Sequence, residues 1–125
     1  MDAIKPLELK RLTDVRNLLL RLHKALLDGQ RAHYEKEHGR VESPGALLQL
    51  AISDPAFEWL HRFSELVVEI DESTEGHGPL TSQAHETLLK QTRQLMEQEQ
   101  LQTALAENPD ASKLATDLQS RLTNQ

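Results

Sequence analysis

The stretch SPGALLQLAISDPAFEWLHRFSELVVEIDE, residues 43–72, contains three of the four aromatic residues of the chain: Phe57, Trp59 and Phe63. A Ser-Pro pair at Ser43 and an Asp-Pro pair at Asp54 are typical of helix starts, because the Ser or Asp side chain caps the helix and proline fits its first turn. The segment is therefore predicted to be the hub of the core. It holds no recognisable active site.

Apolar residues elsewhere recur at three- and four-residue spacing, and no stretch alternates as a strand would. The fold class is therefore predicted as all-α: a compact, mostly antiparallel bundle of four main helices plus one short helix, in a single domain over residues 1–125. Whether residues 107–125 pack on this bundle or lie at its periphery stays open. The predicted helices cover residues 7–38, 44–52, 54–72, 81–106 and 109–122.

Gly29 lies within the first helix and is expected to mark a kink or a close helix crossing. Gly39 follows that helix in the usual stop position. The core is expected to consist mainly of aliphatic residues, since aromatics are only 3% of the chain. The predicted core residues are Leu12, Val15, Leu19, Leu22, Leu26, Leu47, Leu50, Phe57, Trp59, Leu60, Phe63, Leu66, Val67, Ile70, Leu88, Leu95, Leu114 and Leu118.

The composition argues against several classes of function. The absence of cysteine excludes disulfides, thiolate nucleophiles and Cys-based zinc sites. The net charge of −6 disfavours nonspecific binding to nucleic acid or to an anionic membrane. No apolar run approaches the roughly 20 residues of a spanning helix, and no signal peptide is recognisable, so a cytoplasmic protein is expected.

Charge is unevenly distributed along the chain. Residues 1–40 carry a net charge of +3 and residues 41–125 a net charge of −9. A basic first helix is therefore expected to lie against more acidic later helices. Such surface pairs contribute only about 0–1 kcal/mol each, so they would bias orientation more than stability.

Two Glu-x-x-His pairs, Glu35…His38 and Glu58…His61, have the spacing used in carboxylate-bridged metal bundles. Both pairs are predicted on polar helix faces, whereas ligands in a bundle must point inward. His33 continues the apolar face of the first helix and is expected to be half-buried. A metal site is thus kept as an alternative, with His33, His38, Glu58 and His61 as its candidate ligands.

Three further histidines have no obvious role as ligands. His23 flanks the apolar face of the first helix and is expected to be partly buried. His77 and His85 lie near the start of the fourth predicted helix, where histidines are usually exposed. No nucleophile elbow and no glycine-rich phosphate loop is present, so no catalytic or cofactor-binding residue is predicted.

Partner binding is the leading functional hypothesis. Leu20 and Leu27 widen the apolar stripe of the first helix beyond what one helix seam requires. A non-enzymatic interaction or accessory module is expected, acting through helix faces on another protein or on a second copy. Trp59, Tyr34, Leu20 and Leu27 are the interaction candidates. A small-ligand pocket near Trp59 and Tyr34 is a further alternative.

The phrase GALLQLAISDPAFEWLHRFSELVVEIDE, with LLRLHKALLDGQRAHYE upstream, resembles a small family of uncharacterised bacterial all-helical proteins. The resemblance covers about residues 15–72 and rests on these phrases. It implies a bacterial cytosolic origin and carries no activity and no site residue.

Overall fold

A computed structural model describes residues 3–75 and 80–123 of the chain. Over these residues the chain is all-α, as predicted, and an isolated β-bridge joins Ala3 to Thr81. Among the described helices, none is long and apolar enough to cross a membrane. The helices are α1 (Pro6–His38), α2 (Pro44–Ser53), α3 (Pro55–Glu58), α4 (His61–Glu75), α5 (Ser82–Leu95), α6 (Glu99–Glu107) and α7 (Pro109–Thr123).

The predicted start and stop signals operate as expected. The Ser43 hydroxyl accepts a hydrogen bond from the Ala46 amide at 3.0 Å, and the Asp54 carboxylate accepts one from the Ala56 amide at 2.8 Å. Gly39 ends α1 with a φ of 86°, a conformation that glycine adopts without steric cost. These local contacts are encoded by short sequence motifs, which is why the boundaries of α1 and α2 were predicted closely.

The prediction of one helix over residues 54–72 was wrong, because the chain turns at Trp59 and Leu60 between α3 and α4. The amide of Leu60 donates to the Phe57 carbonyl and the amide of Phe63 donates to the Leu60 carbonyl, both at 3.1 Å. Such i→i+3 bonds give three residues per turn, which places every third residue on one side. Phe57, Leu60 and Phe63 can therefore all be buried, as they are.

The prediction of one helix over residues 81–106 was also wrong, since α5 ends at Leu95 and α6 begins at Glu99. The intervening amides of Glu97 and Gln98 again form i→i+3 bonds. The Gln102 side chain donates to the Met96 carbonyl at 3.0 Å and satisfies an acceptor that the break would leave free.

The core lies around α1, and most of the predicted core residues are buried. The exceptions are half-buried side chains that pack against the core, namely Leu47, Leu50, Trp59 and Leu114. The residues that sequence reasoning missed come mainly from the last three helices: Val41, Leu89, Met96, Leu101, Ala111, Ala115 and Leu122.

The C-terminal helix α7 is a central element of the bundle. The sequence left open whether residues 107–125 are peripheral, and the part of this segment that the structure describes is not. It packs along α1 and buries Ala111, Ala115, Leu118 and Leu122. The Arg11 guanidinium donates to the carbonyls of Arg121 and Leu122 at 2.7 and 2.9 Å. Arg93 of α5 donates to the same Leu122 carbonyl at 2.9 Å. Two arginines thus satisfy the carbonyls that the end of a helix leaves free.

Two pairings along α1 show that α4 runs antiparallel to it. Arg16 binds Asp71 near the end of α4 through two hydrogen bonds of 2.9 and 3.1 Å. Further along α1, the His23 ring lies 6.5 Å from the ring of Phe63, near the start of α4. The order of these pairs is reversed between the two helices, as the predicted antiparallel bundle requires.

Asn108 joins the start of α7 to the middle of α1. Its side-chain oxygen accepts from the Ala111 amide at 3.1 Å, and its side-chain nitrogen donates to the Ala25 carbonyl at 3.1 Å. A Cβ atom at Gly29 would lie 2.9 Å from that same nitrogen. Gly29 therefore marks a close helix crossing, one of the two roles expected for it.

We expect Gly29→Ala to affect stability differently with and without the Asn108 side chain. In an Asn108→Ala background, the added methyl group should raise the free energy of unfolding by about 1 kcal/mol, the usual gain in helix propensity. In the wild type the gain should be smaller or reversed, because the methyl group displaces Asn108 from Ala25. A double-mutant cycle by chemical denaturation measures this coupling. Equal effects in both backgrounds would contradict the proposed crossing.

His23 is partly buried, as predicted, and its environment disfavours the charged ring. Burial lowers the pKa of His23 below its usual value of 6.5, and the positive charge of a protonated His61 lowers it further. Well above pH 6.5 the ring is neutral in the folded and the unfolded chain alike. As the pH falls below 6.5, the unfolded chain takes up the proton first, so the folded state loses stability until the lower folded-state pKa is passed.

We therefore expect His23→Gln to flatten the fall in the free energy of unfolding between about pH 7 and about pH 5. Chemical denaturation of both proteins across that range tests this. The variant should keep some pH dependence, because burial lowers the pKa of His85 as well. An unchanged slope in the variant would show that His23 does not contribute.

Candidate functional site

Helix α2, with the sequence PGALLQLAIS, has an unusually apolar surface. It contains no charged residue, yet none of its ten residues, all of them described, is buried. A helix that is apolar around most of its circumference is normally covered on all sides. The exposure of α2 therefore marks it as a candidate interaction surface.

Contacts on the inner side of α2 hold it against the body of the protein. Leu47 and Leu50 are half-buried and pack on the core. The Ser43 cap fixes the start of the helix. At the other end, the Nε2 atom of His61 contacts the carbonyl of Ala51, with the ring nitrogen as the donor. These contacts orient α2 without covering its outer side.

The outer α2 face, which we define as Gly45, Leu48, Gln49 and Ile52, is exposed at all four positions. These positions follow the i, i+3, i+4, i+7 spacing of a single helix face. The side chains of Leu48 and Ile52 are 60% and 61% exposed and are adjacent along the helix. The face thus presents two large aliphatic side chains and no charge.

The four interaction candidates chosen from the sequence are placed differently. Leu20 is exposed on α1, whereas Leu27, Tyr34 and Trp59 are half-buried and pack against the core. The Tyr34 ring lies 5.9 Å from that of Phe57, and the Trp59 ring meets that of Phe63 edge-on at 6.1 Å. The two aromatic candidates therefore stabilise the fold as well as reaching the surface.

Trp59 lines a groove of about 1480 Å³ between α1 and the pair α6 and α7. The α1 wall includes Arg21, Lys24 and Lys36, and the opposite wall includes acidic residues such as Glu99 and Glu107. The expected approach of a basic first helix to acidic later ones is therefore present. Pockets that bind small ligands are usually smaller and more enclosed than this groove, and their lining is mainly apolar. Tyr34 does not line this groove, so the two aromatics expected around a ligand are not brought together there.

The four predicted metal ligands do not form a cluster among the described residues. His33, His38, Glu58 and His61 are all exposed. His33 was expected to be half-buried, but it lies on α1 beyond the point where α7 begins beside Ala25, so no helix covers it.

Both Glu-x-x-His pairs have structural explanations. The Glu35 carboxylate accepts a hydrogen bond from the Val41 amide at 2.7 Å, and Arg31 donates to the Val41 carbonyl at 2.9 Å. This pair of contacts holds the loop after α1 against the helix. Glu58 ends α3 and His61 begins α4, so the turn between these helices separates the second pair.

His85 was expected to be exposed, but it is buried. The first turn of α1 lies beside it, with the Glu8 carboxylate 3.6 Å from the Nδ1 atom of His85. The Ile4 amide donates to the Leu80 carbonyl at 2.8 Å beside the Ala3–Thr81 bridge. His85 lies with Glu8 and Glu86 in the one group of three or more possible metal ligands found within the described ranges. Glu8 and His85 are 77 positions apart in the sequence, so no short motif could predict that they are neighbours. His77 lies outside the described residues.

The composition of α2 predicts an exposed apolar face, although the spacing of its apolar residues does not reveal it. Residues 44–53 contain no charge, and apolar residues at positions 47, 48, 50, 51 and 52 leave the helix without a polar side. Such a helix must be covered all round or expose an apolar face, and a bundle of this size has few elements to cover it. No protein-family model matches this chain, and no significant match to a curated protein or to a solved structure was found.

Proposed function

We propose that this protein is a non-enzymatic interaction module that associates with a second copy of itself through the outer α2 face. The observation that carries the proposal is the exposure of Leu48 and Ile52 on a helix that has no charged residue. Exposed aliphatic side chains of this kind are stabilised when a partner removes them from water, at about 25 cal/mol per Å² of apolar surface.

The charge of the molecule limits where a second copy can dock. Each chain carries a net charge of −6, so two copies repel each other through most of their surfaces. The outer α2 face has no charge of its own and is where two copies can approach with the least local repulsion. A two-fold arrangement would pair each α2 with its equivalent, so that Leu48 and Ile52 of one copy meet those of the other.

The size of the face implies a modest affinity. A ten-residue helix is about 15 Å long, and its contact alone would fall below the 1,200–2,000 Å² typical of stable complexes. We therefore expect a dissociation constant in the range of about 10–100 µM. Such an association would be reversible and would depend on protein concentration.

Leu48→Glu and Ile52→Glu should each weaken the dimer at least about tenfold, because each change puts two like charges into the contact. Sedimentation equilibrium over about 5–500 µM protein measures the dissociation constant. Leu7→Glu is the matched control, since Leu7 is 82% exposed and lies outside α2. That variant should dimerise as the wild type does.

The salt dependence of dimerisation distinguishes an apolar contact from an electrostatic one. Raising the salt concentration should strengthen the dimer, because ions screen the repulsion between two acidic copies and leave the apolar contact intact. A wild-type protein that stays monomeric at the highest concentration would overturn the proposal. A dimer that Leu48→Glu and Ile52→Glu leave unchanged would also overturn it.

A further inference from the structure

The starts of α1 and α5 lie side by side. The Ala3–Thr81 bridge and the hydrogen bond from the Ile4 amide to the Leu80 carbonyl hold together the segments that precede these helices. This arrangement brings Glu8, in the first turn of α1, next to His85, in the first turn of α5. No catalytic or interaction role described above uses either residue.

The imidazole of His85 is a buried polar group without partners. The residue is 1% exposed, and neither ring nitrogen has a hydrogen-bond partner among the described residues. Burying a polar group without a hydrogen bond destabilises the folded state. Burial also lowers the pKa of His85, against the opposing effect of Glu8 and Glu86, so the neutral ring with a free lone pair is favoured. Neutral imidazole is the form that binds metal ions.

Two carboxylates face the Nδ1 atom of this ring. The Oε2 atom of Glu8 and the Oε1 atom of Glu86 each lie 3.6 Å from it. That separation is too long for a normal hydrogen bond. It is close to the roughly 3.4 Å that separates two donor atoms bound at about 2.1 Å to one tetrahedral ion. One ligand atom from each of the three residues lies within 4.8 Å of the others.

The second oxygen of the Glu8 carboxylate is held by hydrogen bonds, and that of Glu86 lies near an arginine. The Oε1 atom of Glu8 accepts from the Lys5 amide at 2.9 Å and from the Ser82 hydroxyl at 2.8 Å. The backbone hydrogen bond from Lys5, followed by that from Ser82, lowers the pKa of Glu8 and keeps it ionised. The Oε2 atom of Glu86 lies 4.0 Å from the Arg93 guanidinium. Outer contacts of this kind orient the ligands of metal sites in proteins.

We propose that Glu8, His85 and Glu86 form a site for one divalent transition-metal ion, with Zn²⁺ as the best fit. One imidazole nitrogen and two carboxylate oxygens suit Zn²⁺ better than Ca²⁺ or Mg²⁺, which prefer oxygen ligands throughout. The two carboxylates supply the negative charge that offsets the positive ends of the two helices. Because Glu86 is 60% exposed, a fourth position faces solvent and can take water.

Isothermal titration of the untagged protein with ZnCl₂ at about pH 7 tests the site. The wild type should bind one ion per chain. Glu86→Gln should weaken binding at least about tenfold, and Ser82→Ala, which releases the held oxygen of Glu8, should weaken it about tenfold. Glu86 is on the surface, so its replacement should leave the circular dichroism spectrum unchanged. Nitrogen NMR of the histidine rings should show that Zn²⁺ perturbs Nδ1 of His85.

Two variants are matched controls for adventitious binding. Glu58→Gln replaces another exposed helix glutamate, and the double variant His33→Gln, His38→Gln removes two exposed histidines. Both proteins should bind Zn²⁺ as the wild type does. The proposal is overturned if no binding occurs up to about 100 µM Zn²⁺. It is also overturned if the double histidine variant loses binding while Glu86→Gln retains it.

Discussion

The buried stripe of α1 is the surface against which the rest of the protein packs. Leu12, Val15, Leu19, Leu22 and Leu26 are inaccessible or nearly so, and α3, α4, α5 and α7 all contact this helix. A single 33-residue helix thus has neighbours on more than one side, which its broad apolar face permits. The helix break at Trp59–Leu60 follows from the same constraint, since two shorter helices can change direction and keep their apolar residues on α1. The break at Met96–Gln98 lets α6 pack against α7.

Polar contacts fix where each neighbour lies along this stripe. The bidentate pair Arg16–Asp71 sets the position of α4, and Arg11 and Arg93 hold the end of α7 through its free carbonyls. At the other end of α7, Asn108 reaches the backbone of α1 over the space left by Gly29. Apolar burial is largely nondirectional, so these hydrogen bonds supply the register that burial alone leaves open.

Two regions lower the stability of the isolated chain. The outer α2 face exposes aliphatic side chains, and the His85 ring is buried without a hydrogen bond to any of the described residues. Each feature costs free energy in the unbound chain, and the proposed binding would relieve each cost: a second copy would cover Leu48 and Ile52, and a metal ion would bind the Nδ1 atom of His85. Features that lower stability locally are common at functional sites. The proposed dimer contact and the proposed metal site use different helices and can be tested independently.

The sequence by itself determined the all-α class, the caps at Ser43 and Asp54, the stop at Gly39 and the aliphatic core face of α1, because these depend on residues within one or two helical turns. It also indicated either a kink or a close helix crossing at Gly29. Only the tertiary structure decided that α7 is central, that Leu48 and Ile52 stay uncovered, and that Glu8 meets His85. Those features depend on which helices become neighbours. Burial at these positions is settled by residues far away in the chain, and local periodicity carries no information about them.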